Sequence, residues 1–183
     1  MFKFCPFCAS GKIKFNDKNA FRCPDCGFVY YHNTAAATGC LIRVPEPCGD
    51  RFLFTVRGKE PGKGLLDMPG GFVDPGEGAL ESLYRELREE IGWTPPIPEG
   101  VNLTGVFKLY ASFPNVYPYK GIKYNTCDMY FTIRAPGLTQ KDLQLEQAEI
   151  SEVRFLKSDE IDLEQFAFES TKKAVKTYFA NLD

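Results

Sequence analysis

The most regular hydrophobic pattern in the chain lies between Gly78 and Ile91. At about 100° per residue, Leu80, Leu83, Tyr84, Leu87 and Ile91 share one narrow stripe, which predicts an amphipathic helix. A second helical pattern covers about Phe168–Ala180, with Thr171, Ala174, Val175, Tyr178 and Phe179 on its apolar face. Ser158 is a helix-start residue upstream of it. Alternating or β-branched runs predict strands at Ala35–Val44, Arg51–Arg57, Leu103–Ala111, Asn125–Arg134 and Val153–Leu156. Pro95, Pro96 and Pro98 end the first helix, because proline cannot continue its hydrogen-bond ladder. Ser112–Gly121, with Pro114 and Pro118, reads as a stiff loop between two strands. The pattern predicts an α/β chain with mixed strands and two helices.

Polar residues change the picture at two places. On the first helix, Glu86, Glu89 and Glu90 occupy an arc of about 100° away from the stripe. Like charges at i, i+3 and i+4 destabilise an isolated helix. The arc is either a platform for Mg²⁺, which prefers carboxylates and substrate phosphates, or a solvated acidic face. At the start of the chain, Cys5-Pro6-Phe7-Cys8 and Cys23-Pro24-Asp25-Cys26 form two C-x₂-C knuckles. Four thiolates in two such pairs suit a closed structural Zn²⁺ site. Short strands are expected at Lys12–Phe15 and Ala20–Arg22, around an Asn16-Asp17-Lys18-Asn19 turn. So small a module draws most of its folding energy from the metal. The expected division is residues 1–33 and residues 34–183.

Composition excludes more than it identifies. The 183 residues are 44% hydrophobic and 25% charged, as in ordinary globular proteins. A net charge of −2 gives no footprint for duplex nucleic acid. No apolar run approaches the ~20 residues that span a bilayer. The first residues lack the apolar core of a secretory signal, so a cytoplasmic protein is expected, with its cysteines reduced or metal-bound. Cys40 and Cys127 read as small buried residues, Cys48 as a loop thiol. His32, the single histidine, reads as structural.

From Gly71 the sequence runs Gly, five residues, Glu77, seven residues, Arg85-Glu86-Leu87, one residue, Glu89-Glu90, one residue, Gly92-Trp93. This stretch resembles the signature box of the Nudix hydrolases at every defined position. The resemblance implies a Nudix α/β/α sandwich with a mixed sheet, preceded here by a zinc ribbon. It implies Mg²⁺ or Mn²⁺ held by Glu86, Glu89, Glu90 and the Gly70 carbonyl, with Glu77 paired to Arg85. The family often supplies one further carboxylate from the loop before a late strand; Glu149 matches best and Glu146 next. As catalytic residues it therefore indicates Glu86, Glu89, Glu90 and Glu149.

The ribbon-plus-Nudix layout looks like that of the NADH pyrophosphatases, whose relatives suggest a homodimer. Their Ser-Gln-Pro-Trp-Pro-Phe-Pro-Gln-Ser motif is echoed by Ser112-Phe113-Pro114 and Tyr117-Pro118-Tyr119, without the Gln, the Trp or the spacing. Phe113, Tyr117 and Tyr119 are thus expected to stack on a nucleobase, or to pack on one another. Arg57, ending its strand ahead of the box, is expected to meet substrate phosphate, or to sit in a plain hairpin. The implied function is metal-dependent hydrolysis of a nucleoside diphosphate derivative of the NADH, NAD⁺ or ADP-ribose type. The alternative is a ligand-sensing or nucleic-acid-associated regulator without turnover.

Overall fold

Cys5 and Cys23 open two turns built alike. The Cys5 N–H donates to the Ser10 carbonyl (2.8 Å) and the Ala9 N–H to the Cys5 carbonyl (2.9 Å). The Cys23 N–H donates likewise to Phe28 (2.9 Å), and the Gly27 N–H to Cys23 (3.0 Å). Both turns need a left-handed residue four positions after the first cysteine. Gly27 adopts it at φ +77°; Ala9 does so at φ +58° despite its Cβ. The thiols lie 3.7 Å apart for Cys5–Cys26 and 3.6 Å for Cys8–Cys23, all four within 4.8 Å. Tetrahedral zinc with Zn–S near 2.3 Å separates its sulfurs by about 3.8 Å, so the set fits that ion. Asp25 accepts from the Ser10 hydroxyl (2.6 Å) and the Lys12 ammonium (3.0 Å), tying one knuckle to the other.

In this computed structural model, residues 2–16 and 19–181 are described. The ribbon's sheet holds β1 (Lys14–Asn16), β2 (Ala20–Arg22) and β3 (Val29–Tyr31), all antiparallel with β2 central. Sequence reading missed β3 and began β1 two residues early. The expected turn includes Asp17 and Lys18, which lie outside the described residues. The chain divides into two compact units, Met1–Thr34 and Ala35–Asp183.

The second unit is a mixed sheet with a helix on each face. Its strands are β4 (Ala35–Val44), β5 (Arg51–Arg57), β6 (Leu66–Asp67), β7 (Lys108–Tyr119), β8 (Ile122–Arg134) and β9 (Ile150–Lys157). They run in the order β6-β5-β4-β8-β7, with β9 also paired to β5; β4 and β8 are parallel, the other pairs antiparallel. Helix α1 spans Ala79–Ile91, the single turn α2 Leu103–Val106, and α3 Glu169–Ala180. Both sheet faces are covered, so β5 carries the unbroken apolar run Phe52-Leu53-Phe54 rather than an alternation. Leu53 joins Ile42, Leu83, Leu87, Ile91 and Ile133 beneath α1. Phe52 and Phe54 join Leu41, Phe166, Ala174 and Val175 beneath α3. Among the described residues no helix is long and apolar enough to cross a membrane.

Three expectations differ. Leu103–Val106 is helical because the Asn102 side chain accepts from the Gly105 N–H and caps the turn, so the strand starts only at Lys108. The expected loop Ser112–Gly121 is instead the outer arm of a long hairpin, with Lys120 and Gly121 at its tip. Its prolines are tolerated because β7 is the sheet's edge, where a missing N–H leaves no ladder bond broken. Cys40 is buried in β4 as expected, but Cys127 in β8 is exposed.

Candidate active site

Residues 69–73 run alongside β4 and deliver the chain to α1. The Cys40 N–H donates to the Pro69 carbonyl (2.9 Å), Thr38 to Gly71 (2.8 Å), and Val73 to Ala36 (3.0 Å). The approach admits only glycine at position 70, where φ is +144° and an added Cβ would meet the Thr38 oxygen at 2.2 Å. At Gly71 a Cβ would lie 2.6 Å from the Glu86 carboxylate. Gly70 thus lets the loop lie against the β4 backbone, and Gly71 leaves the space that the Glu86 carboxylate fills. Gly92 closes α1 in the left-handed conformation, its N–H on the Arg88 carbonyl (3.1 Å).

Arg85 organises the acidic side of the helix. It forks onto Glu77, Nε to Oε1 at 2.7 Å and Nη2 to Oε2 at 2.8 Å. Its Nη1 reaches Glu86 (2.8 Å) and Glu89 (3.1 Å), and Nη2 the Phe72 carbonyl (3.1 Å). The guanidinium holds the Glu77 carboxyl below its ordinary value. Glu90 turns inward and accepts from the Gly70 N–H at 2.9 Å. Burial, with Glu86, Asp67 and Glu149 nearby, holds its pKa well above the usual range. Burial also raises Glu86, against the pull of Arg85.

The strand of loop before β9 is sewn to the end of α1. The Gln144 N–H donates to Ile91 (2.9 Å) and the Glu146 N–H to Glu90 (3.0 Å). On its other side the Gly58 N–H donates to the Glu149 carbonyl (2.6 Å), and the Lys59 ammonium pairs with the Glu149 carboxylate. Glu149 therefore faces Glu86 and Glu90 across the mouth of a cleft of about 230 Å³.

From that mouth the cleft extends over the α3 face of the sheet. Its floor is β4 and β8, where Ala37 gives depth beside Thr126 and Asp128, and Gly39 makes room for the Tyr130 ring. One wall is aromatic: Tyr117 lies between Phe72 (ring centroids 5.4 Å) and Phe168 (5.6 Å). Arg57 backs this wall. Its guanidinium pairs with Asp67 at 3.1 Å, donates to the Pro61 carbonyl at 2.6 Å, reaches the Tyr117 hydroxyl at 3.5 Å, and lies 4.9 Å from the Phe168 ring centre. Asp67 also accepts from the Thr171 hydroxyl (3.0 Å) and the Met68 N–H (2.9 Å).

Carboxylates gathered at a glycine-lined mouth, opening onto an aromatic cleft, agree with what a family model matches. That model, the NUDIX domain, covers residues 33–178. The chain belongs to the Nudix family. It is 34% identical over 90 residues to the NAD-capped RNA hydrolase NudC of Chromobacterium violaceum, 49% of this chain and 32% of that one. It is 31% identical over 122 residues to the ADP-ribose pyrophosphatase of Methanocaldococcus jannaschii, 58% of this chain and 63% of that one. The chain thus spans about a third of the first relative's length and under two thirds of the second's. Among solved structures, the NUDIX domain of Shewanella oneidensis NrtR complexed with ADP ribose superposes with a TM-score of 0.64 at 17% identity, over 84% of this chain and 91% of that one.

Within this Nudix domain the structure brings together Gly70, Glu86, Glu90, Glu149, Arg57 and Tyr117 around the cleft. Glu89 is more exposed than Glu86, 53% against 15% for their side chains. Phe113 and Tyr119 are elsewhere. Phe113 packs into the core beneath α3, and Tyr119 stands at the hairpin tip, 45% exposed, with the Lys120 ammonium 5.1 Å from its ring centre. Position along the strand separates them: β7 turns Asn115 and Tyr117 to the cleft, but Phe113 precedes it and Tyr119 overshoots it. Arg57 is committed to Asp67 and Phe168 rather than free for phosphate. Phe72, Asp67, Asp128, Phe168 and Thr171 were not singled out as site residues by the sequence; Asp67 and Asp128 signalled themselves only as acids within apolar stretches.

Proposed function

We propose that this chain hydrolyses the diphosphate bond of a nucleoside diphosphate linked to a second moiety, of the NAD(H) or ADP-ribose type, releasing a nucleoside monophosphate. The observation that carries this reading is Glu90. It is a half-buried carboxylate close to Glu86, Asp67 and Glu149, with a backbone N–H as its hydrogen-bond donor. Such a site is stabilised by a divalent cation and by the phosphates that accompany it. The names of the relatives favour the same substrate classes.

Glu86, Glu89, Glu90 and the Gly70 carbonyl are the groups that would hold Mg²⁺ or Mn²⁺, and the closeness of the Glu86, Glu90 and Glu149 carboxylates at the cleft mouth fits that role. The chemistry supplied by such a cation would be neutralisation of diphosphate oxygens and activation of a water as nucleophile. The chain's own residues do the rest. Arg85 and Glu77 fix the loop so that the Gly70 carbonyl and the carboxylates keep their spacing. Glu149, reached through the loop tied to α1, takes the proton from the attacking water after Lys59 releases it. Lys59, freed at the mouth, meets the diphosphate. Tyr117, Phe72 and Phe168 stack on the base and keep water from that part of the cleft. In the ribbon, the clustered thiols of Cys5, Cys8, Cys23 and Cys26 would hold a structural Zn²⁺.

The test is release of nucleoside monophosphate from NADH, ADP-ribose, nucleoside diphosphate sugars and nucleoside triphosphates, with Mg²⁺ and with chelator. Release from a dinucleotide or ADP-ribose only with metal is expected. Binding without release from any of them would instead favour a ligand-sensing Nudix protein.

A further inference from the structure

The cleft floor carries a charge that the chemistry above does not use. Asp128 is 8% exposed, in the middle of β8, on the face turned to α3. Its one hydrogen bond among the described residues comes from the Ser170 hydroxyl to Oδ2, at 2.7 Å. Oδ1 has no partner among those residues and is left to the cleft. Neither cation of the cleft reaches it: Arg57 is engaged by Asp67, and Lys59 by Glu149. Two residues earlier, on the same face, the Thr126 hydroxyl is buried at 3% residue exposure and has no hydrogen-bond partner among the described residues. Asn115, paired with Thr126 across the hairpin, completes a polar strip beside the ring of Tyr117.

An ionised carboxylate only accepts hydrogen bonds. One left buried and half-satisfied at the bottom of an open cleft is suited to a ligand that brings a neutral N–H or O–H donor. The neighbouring rings fix what kind of ligand that is. Phe72, Tyr117 and Phe168 present π-faces and edges to a flat group lying over Ala37, the small floor residue paired with Asp128 in the sheet. We infer that Asp128 is a specificity-determining residue, accepting a hydrogen bond from a neutral donor on the substrate's nucleoside. An exocyclic amino group on the base or the ribose 2′-hydroxyl supplies that donor. A base with a carbonyl at the same position sets acceptor against acceptor and is rejected. This rests on the functional reading above, in that the ligand is a nucleoside diphosphate derivative.

The structural role that competes with this is anchorage of α3. Its first turn has no side-chain cap of its own, and Asp128 and Asp67 accept from its Ser170 and Thr171 hydroxyls instead. Ser170→Ala removes that anchor while leaving the carboxylate in place, so it separates the two roles.

The experiment is calorimetric binding, in Mg²⁺, of the non-hydrolysable α,β-methylene analogue of ADP-ribose and of its hypoxanthine and 2′-deoxyadenosine counterparts. Wild type is expected to prefer the adenine riboside over at least one counterpart by about tenfold or more. The hypoxanthine arm reports a base donor and the deoxy arm a ribose donor. Asp128→Asn, which can donate as well as accept, should bring that preference within about threefold; Asp128→Ser is the substitute should the Asn variant not fold. Ser170→Ala should retain the preference. Equal binding of all three ligands by wild type, no binding of any, or a preference that survives at Asp128→Asn would overturn the inference. Because binding is read without cleavage, a chain that binds selectively but releases no monophosphate would sink the hydrolase reading and leave this one standing.

Discussion

Arg85 and Glu77 are joined by two parallel hydrogen bonds, at 2.7 and 2.8 Å, across eight residues of chain. The pair spans the loop that carries Gly70, Gly71 and Phe72 and the helix that carries the acidic side chains. Lysine cannot reproduce a fork of this kind, since its ammonium is a single point of charge. Arg85→Lys is therefore expected to lower turnover by about a hundredfold through misplacement of the loop, with the fold retained. Steady-state kinetics alongside circular dichroism checks it; turnover within twofold of wild type would show that the fork is dispensable.

Phe168 and Tyr117 form the wall against which a base would lie. Replacing either by alanine should raise KM about ten- to a hundredfold, the range expected from losing one stacking partner, with a smaller effect on kcat. Tyr119→Ala, at the exposed hairpin tip, should change neither. Michaelis constants for the three variants on one substrate decide this.

Asp67 gives a pH prediction. Burial outweighs its Arg57, Thr171 and Met68 partners and raises its carboxyl above the ordinary 3.8. A raised native pKa means that its contribution to stability is complete below about pH 4 and is lost as pH rises through the native value. Asp67→Asn has no such titration. Its deficit in urea unfolding relative to wild type should be largest near pH 4 and shrink toward pH 7. A deficit that grows toward pH 7 would mean that pairing with Arg57 dominates over burial.

The ribbon should carry one zinc per chain. Cys8→Ser, or a strong chelator, should remove it and expose the amides of residues 2–16 and 19–34 to rapid hydrogen exchange, since three short strands bury too little to hold themselves. Elemental analysis and exchange mass spectrometry report the two effects separately. Ribbon amides that stay protected after zinc is gone would contradict the metal's structural role.

What the sequence made legible was whatever local physics dictates. The stripe of Leu80, Leu83, Leu87 and Ile91 predicted α1 and its buried face, because a helix repeats its environment every 3.6 residues. The knuckles predicted the thiol cluster, because a metal demands its ligands in fixed pairs. The hairpin was not legible: Pro114 and Pro118 argue against a strand except at an edge, and only the assembled sheet shows that β7 is the edge. The turn at Leu103–Val106 was not legible either: its apolar residues favoured a strand, and only the folded chain shows the Asn102 cap that makes it helical. The far wall of the cleft was hidden for a different reason. Phe168 and Thr171 read as the start of a packing helix, and they line a site only because α3 docks with its first turn over β8, where Ser170 bonds Asp128.

The most direct test of the chemistry assigned to the cleft mouth is the turnover of Glu90→Gln against wild type, on ADP-ribose in saturating Mg²⁺. Glutamine keeps the shape of the side chain and its hydrogen bond from Gly70 while removing the charge. A fall of about three orders of magnitude in monophosphate release, with an unchanged circular dichroism spectrum, is the expected result. Near-normal turnover in that variant would contradict the assignment of this carboxylate, and with it the metal-dependent chemistry placed at the mouth of the cleft.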